Sequence, residues 1–156
     1  MKPIKTSHSF IPAPLWRRLA AILYDMFLVI ALLFAVGFIN LGIQMIIYGE
    51  AELRQMTSQG SSLDGPVFYI ALLLTMFVFF TYCWTKKGQT LGMQAWKIKI
   101  INNNGQFITF RQSLLRFIIA IPSLLLIGIG IFWMKADPDK KSWQDRLSRS
   151  ITILDK

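Results

Sequence analysis

The chain has 156 residues, about one domain's length, and is 54% hydrophobic with a mean hydropathy of +0.47 and a formal charge of +9. That composition excludes an ordinary soluble core, and because apolar runs interrupt the basic residues it disfavours nucleic acid and points to a bilayer with anionic head groups. One cysteine, Cys83, inside an apolar run, leaves no basis for an internal disulfide framework or a cysteine metal cluster.

Residues 1–14 hold Lys2, Lys5, His8 and three prolines without periodicity, and read as a disordered N-terminal tail. The apolar run that follows is too long for a cleaved signal peptide. From residue 19 to residue 47 the only charge is Asp25, and 29 residues at about 1.5 Å each exceed a hydrocarbon core of roughly 30 Å. A carboxylate at the centre of a bilayer costs roughly 2.5–3.5 kcal/mol, so Asp25 calls for a partner. Arg18 shares its helix face but lies about 10.5 Å away along the axis and leans towards the head groups. A water bridge, or an arginine from elsewhere, with Arg116 and Arg146 the candidates, suits Asp25 better.

Further along this span, Ala31 with Ala35 and Asn40 with Gln44 form one-turn pairs that can seat a neighbouring helix. A polar loop over 48–65 carries Glu50, Glu52 and Asp64 against Arg54 alone, which places it outside by the positive-inside rule. A second span over about 66–85 starts at Pro66 and ends with Tyr82 and Trp84, and Lys86 and Lys87 return the chain to the cytoplasm. Residues 88–96 are too polar to span and predict a short interfacial helix. Residues 97–101 alternate, Asn104-Gly105 marks a tight turn, and 106–110 can return, predicting a small cytoplasmic β-hairpin over about 97–110.

Thr109-Phe110-Arg111-Gln112 has the form of a capping box, so a third membrane-embedded helix is expected over about 112–134, interrupted by Pro122, Gly128 and Gly130. If it crosses, six basic residues of the C-terminal tail stand outside against the positive-inside rule. A kinked or re-entrant segment removes that conflict, provided protein or a water cavity satisfies its backbone. Residues 150–154 alternate like an edge strand for the hairpin, which favours a cytoplasmic tail. The expected fold is an all-α membrane protein: three membrane-embedded helical segments, the third kinked or re-entrant, and a small cytoplasmic β-hairpin. Residues 15–156 form one multi-pass domain in the cell membrane with the N-terminus cytoplasmic.

Trp16-Arg17-Arg18-Leu19-Ala20-Ala21 followed by Asp25 resembles the opening signature of the RDD family of small integral membrane proteins, named for one arginine and two aspartates. Gly88-Gln89-Thr90-Leu91-Gly92 and Asp145-Arg146-Leu147 follow in the family's order, so the resemblance runs over 16–153. It implies an RDD-type membrane domain with a functional charge cluster of Arg18, Asp25 and Asp145, Arg17 being the alternative arginine. Arg116 and Arg146, with Gly88, Gln89, Thr90 and Gly92, are the supporting positions. Tyr24, and Ser148-Arg149-Ser150, depart from the family's pattern.

No enzyme constellation, cofactor motif or metal site is expected. Gly128-Ile129-Gly130 lacks the spacing of a nucleotide loop, and Asp137-Pro138-Asp139 opens like a calcium loop but has Ser142 and Ser148 where glycine and glutamate are needed. Two functions remain. One is small-ion or solute transport through an intramembrane Asp/Arg cluster; the other is a membrane scaffold or assembly partner whose cluster is structural. Three short segments enclose little volume, so a homo-oligomer or a membrane-protein partner is expected.

Overall fold

The computed structural model describes residues 10–59, 65–126 and 128–155. Its elements in chain order are α1 (Leu15–Ser58), α2 (Pro66–Lys86), α3 (Leu91–Ala95), β1 (Ile98–Asn102), α4 (Phe110–Leu125), α5 (Ile129–Phe132), a 3-10 turn (Trp133–Lys135), α6 (Trp143–Leu147) and β2 (Ser150–Leu154). Among the described residues α1 and α2 are the two helices long and apolar enough to cross a membrane. Almost none of either apolar stretch is buried inside the chain. Phe27, Phe34 and Phe38 are 64–71% exposed. So much contiguous apolar surface on a monomer calls for a lipid environment.

α1 continues past the expected end at residue 47. Gly49 adopts a positive φ of 76° that kinks it, and residues 50–58 resume the helix, with Arg54 paired to Glu50 one turn away at 2.6 Å. The polar stretch expected as a loop over 48–65 is therefore helical in its first half, while 60–64 lie outside the described residues. α2 starts at Pro66 as its sequence predicts, where a missing N–H costs nothing.

The hairpin expected over 97–110 does not form. β1 pairs instead with β2, antiparallel, with Ile98 opposite Leu154 and Asn102 opposite Ser150. The tight turn itself is present: Asn102 Oδ1 accepts the N–H groups of Asn104 (2.8 Å) and Gln106 (3.0 Å), and Gly105 takes a φ of 81°. After Gln106 too little chain remains for a strand, because the capping box of Thr109 and Gln112 starts α4 at Phe110. Residues 150–154 thus serve as the main partner of β1 and not as an addition to a hairpin. The N-terminal segment joins the other edge of β2, where Ala13 N–H donates to Thr152 O at 2.9 Å and Leu154 N–H to Ile11 O at 3.0 Å. Residues 10–14 of the expected disordered tail are therefore ordered by backbone pairing, and 1–9 lie outside the described residues. A small core of Ala13, Ala21, Met93, Ile98, Ile100 and Ile108 sits between this sheet, α3 and the start of α1.

The third apolar segment is not one helix over 112–134. α4 ends at Leu125, just past Pro122, Gly128 turns with a φ of 76°, and α5 and the 3-10 turn follow. The chain folds back: a Cβ on Gly130 would lie 2.4 Å from Ser123 Oγ and 3.1 Å from the Trp143 ring. From Arg116 to Leu125 is about 13.5 Å of helix, less than half of a hydrocarbon core. The return leg brings Asp145 back to within 2.7 Å of Arg116. α4 also has a largely inverted pattern, with Leu114, Leu115, Ile118, Ile121 and Leu125 outward and Ser113, Arg116 and Ser123 buried beside Phe117. Such a helix suits apolar surroundings outside and polar contacts inside.

The small core makes a direct prediction. Ile100→Ala, at a site 2% exposed, should cost about 2–4 kcal/mol through lost burial and a residual cavity, read as a lowered thermal midpoint in detergent. Ile46→Ala, at a site 87% exposed in the apolar part of α1, should change the midpoint little.

Candidate functional site

The buried and half-buried positions of α1 recur every three or four residues, through Arg18, Ala21, Asp25, Val29, Leu33, Val36, Asn40 and Gln44. This stripe faces the rest of the chain. Ala31 and Ala35, expected as a packing pair, are exposed to the outside instead. Two polar sites lie on the stripe, about 10.5 Å apart along the axis.

The first is built on Asp145, which has no exposed surface. Its Oδ2 accepts from Arg18 Nη1 at 2.5 Å and from Ser142 N–H at 3.3 Å. Its Oδ1 accepts from Arg116 Nη1 at 2.7 Å and from the Thr152 hydroxyl at 3.0 Å. Ser142 completes a capping box on α6, since its hydroxyl accepts from Asp145 N–H. Arg18, 6% exposed, also donates from Nε to Ala13 O and from Nη2 to Thr152 O, each at 3.1 Å. Arg116, 7% exposed, also donates to the Ser150 hydroxyl, and its guanidinium lies 5.6 Å from the centre of the Trp84 ring on α2. One carboxylate thereby ties together α1, α4, α6, β2 and the N-terminal segment. Burial pushes its carboxyl pKa up, but the guanidiniums of Arg116 and Arg18 outweigh that and hold it well below the usual carboxylate range.

The second site holds Asp25, 6% exposed. Its partner is not an arginine. Oδ1 accepts from Gly92 N–H at 2.9 Å and Oδ2 from the Thr90 hydroxyl, which itself accepts from Met93 N–H at 3.2 Å as the cap of α3. A carboxylate therefore meets neutral donors where α3 begins. Gly92 is required by space, since a Cβ there would lie 2.4 Å from Ala21 O and 2.8 Å from Asp25 Oδ1. Gly88 is required by conformation: its φ is 71°, and its carbonyl accepts from Ile100 N–H at 2.7 Å. The side-chain oxygen of Gln89 is buried without a hydrogen-bond partner among the described residues.

Around these two carboxylates the arginine and aspartates of the expected signature occupy the same stripe and its facing elements. The RDD family model matches residues 12–149. The chain belongs to the RDD family. Among curated proteins and among solved structures nothing matches it.

The RDD residues do not form the single cluster expected. Arg18 and Asp145 meet, joined by Arg116, while Asp25 stands apart with Thr90 and Gly92. Arg18 does not extend into head groups, because its acid approaches from the C-terminal part of the chain. Arg17 donates to Trp96 O at 3.3 Å and lies over the Trp16 ring, outside the cluster. Arg146, expected as a partner of Asp25, pairs with Asp137. Sequence reasoning missed Ser142, Ser150 and Thr152. The spacing of Ser142 and Asp145 is that of a capping box, and Ser150 and Thr152 are the polar positions of an alternating strand whose polar face turns inward.

Asp145→Asn should strand two buried guanidiniums and cost about 3–5 kcal/mol, measured by thermal or denaturant unfolding in detergent, with Arg18→Gln added to Asp145→Asn recovering part of the loss. Asp25→Asn should cost less, about 1–3 kcal/mol, because an amide oxygen still accepts from Gly92, and no arginine-to-glutamine change should rescue it. The folded-state pKa of Asp145 lies below its unfolded value of about 3.9. Its contribution to stability is therefore present above about pH 4 and is lost as the pH falls further. The parent should lose stability steeply below about pH 4, and Asp145→Asn should flatten that limb.

Proposed function

We propose that this RDD protein is a non-enzymatic membrane scaffold or assembly partner in which the cluster of Arg18, Asp145 and Arg116 is structural. The observation that carries this reading is the saturation of Asp145. Each of its oxygens accepts two hydrogen bonds in a site with no exposed surface. A transport acid must exchange its proton or cation in each cycle, which requires a pKa near working pH. A carboxylate held well below the usual range by two guanidiniums stays ionised throughout and has no free lone pair facing a substrate. The unburied apolar flanks of α1 and α2 leave room for a membrane-protein partner or a second copy of the chain.

On this reading the protein is a multi-pass protein of the cell membrane with its N-terminus in the cytoplasm. The third segment is re-entrant. Support comes from Lys86, Lys87 and the basic C-terminal region lying together at one end, against the acidic pair Glu50 and Glu52 in the part of α1 beyond the Gly49 kink. With Cys83 replaced by serine, single cysteines at Gln59 and Asp139 should label differently. Impermeant thiol reagent outside intact cells should reach Gln59→Cys and spare Asp139→Cys, and equal labelling of both would mean a third crossing.

A second reading rests on Asp25, which sits in the first span with no basic side chain in salt-bridge range among the described residues. It could take up a proton or small cation. Flux of protons, sodium or potassium in sealed proteoliposomes separates the two. Flux above empty liposomes, lost in Asp25→Asn and retained with a shifted pH profile in Asp25→Glu, would establish transport. The scaffold reading expects no such flux, together with a stoichiometric partner or self-association on gentle purification; a lone monomer without flux would sink both.

A further inference from the structure

Beyond the Asp145 cluster the chain forms a cleft of about 230 Å³, lined by Asn103, Asp139, Lys141, Asp145, Arg146 and Arg149. Every lining residue is polar or charged. The volume is below the roughly 300–1,000 Å³ typical of sites for drug-sized molecules, so the cleft fits a small polar group. The local charges do not balance. Arg18 and Arg116 share Asp145, while Arg146 is paired with Asp137 and both it and Lys141 lie only 4.0 Å from Asp139. With Arg149 the cleft and its backing hold five cations against three carboxylates. Arg149 makes no ion pair among the described residues, and its backbone is in the left-handed region, with a φ of 51°. That conformation is uncommon for a long side chain and is held by Gln112 Nε2, which donates to Ser148 O at 2.9 Å and to Arg149 O at 3.1 Å.

We propose that this cleft binds a phosphate group through Lys141, Arg146 and Arg149, with Asn103 at its edge. An excess of one positive charge in the cleft itself, beside a buried cluster that carries one more, favours an anion. A guanidinium fork beside an ammonium matches several oxygens of one tetrahedral group. The group can belong to an anionic lipid head group, since the cleft lies on the same end of the molecule as the start of α1, or to a free phosphate-bearing anion.

The test uses the full chain in a non-ionic detergent. Its thermal midpoint is followed while inorganic phosphate is titrated against sodium chloride at matched ionic strength, and separately while a short-chain phosphatidylglycerol is titrated against the matching phosphatidylcholine. At a hundredfold excess over Kd the midpoint should rise by roughly 5–10 °C. A rise with inorganic phosphate assigns a free anion. A rise with phosphatidylglycerol alone assigns a lipid head group. Lys141→Gln combined with Arg149→Gln should keep the ligand-free midpoint near that of the parent, because neither side chain touches the Asp145 oxygens, and should abolish most of the rise. Arg149→Gln alone, with the phosphorus resonance of inorganic phosphate or phosphatidylglycerol monitored for broadening, gives the same comparison if the double variant folds poorly. No rise and no broadening with either probe, or a response unchanged in the variants, would overturn the proposal.

Discussion

The fold depends on one buried carboxylate being shared by two arginines that come from distant parts of the chain. Asp145 lies 127 residues from Arg18 and 29 from Arg116, and its two oxygens face in the two directions from which they arrive. Removing a carboxylate and two guanidiniums from water is expensive, and the attraction between them repays that cost only when the geometry is good and the remaining donors are met. Here they largely are: Arg18 spends its other donors on Ala13 O and Thr152 O, and Asp145 takes further bonds from Ser142 and Thr152. Within the cluster, Arg116 Nε is left without a hydrogen-bond partner among the described residues. The edges of β2, the start of α1 and the capping box of α6 are therefore consequences of the same site.

Asp25 solves the opposite problem with neutral groups. A carboxylate two turns deeper in α1 meets no cation among the described residues, and α3 supplies an amide and a hydroxyl at its first turn, where N–H groups lack intrahelical partners. This works only because Gly92 lets the backbone of α3 approach Ala21 O within the space a Cβ would need. Gly88, before α3, turns the chain so that its carbonyl accepts from Ile100 N–H on β1. The Gly88 to Gly92 segment is thus a device for bringing backbone donors to an acid inside an apolar helix, and its residues are fixed by contact and conformation together.

Much of this was legible before the structure. The two long apolar helices from their lengths, Pro66 as a helix start, the Asn104-Gly105 turn and the Thr109 to Gln112 box all follow from local rules, and local rules held there. Long-range pairing was not legible. Period-two alternation in residues 97–101 and 150–154 was visible, but proximity along the chain favoured residues 106–110 as the partner, and the few residues left before α4 could not be weighed without its exact start. The search for an arginine beside Asp25 failed for a related reason: sequence displays charged side chains and hides backbone N–H groups, so the α3 amide was invisible as a partner. The inward polar face of β2 was likewise masked, because alternation reveals two faces without saying which one is buried.

In lipid the usual arbiter of helix arrangement is weak. Acyl chains would surround Phe27 and Phe38, 65% and 71% exposed, about as favourably as a protein interior, so burial of such residues scarcely distinguishes one packing of α1 against α2 from another. Polar groups do distinguish, since a guanidinium left facing hydrocarbon is costly in every arrangement but the one that brings its acid. Arg18 is made near the start of the chain, and the strand that supplies Thr152 O is made near its end. Arg18 therefore meets its partners only once Asp145 and β2 are in place. On the structural reading proposed above, the pairing of Arg18 and Arg116 with Asp145 selects one arrangement of an otherwise permissive set of apolar helices, a selection that only partners from distant segments can make, since a pair four residues apart on one helix leaves its neighbours unplaced.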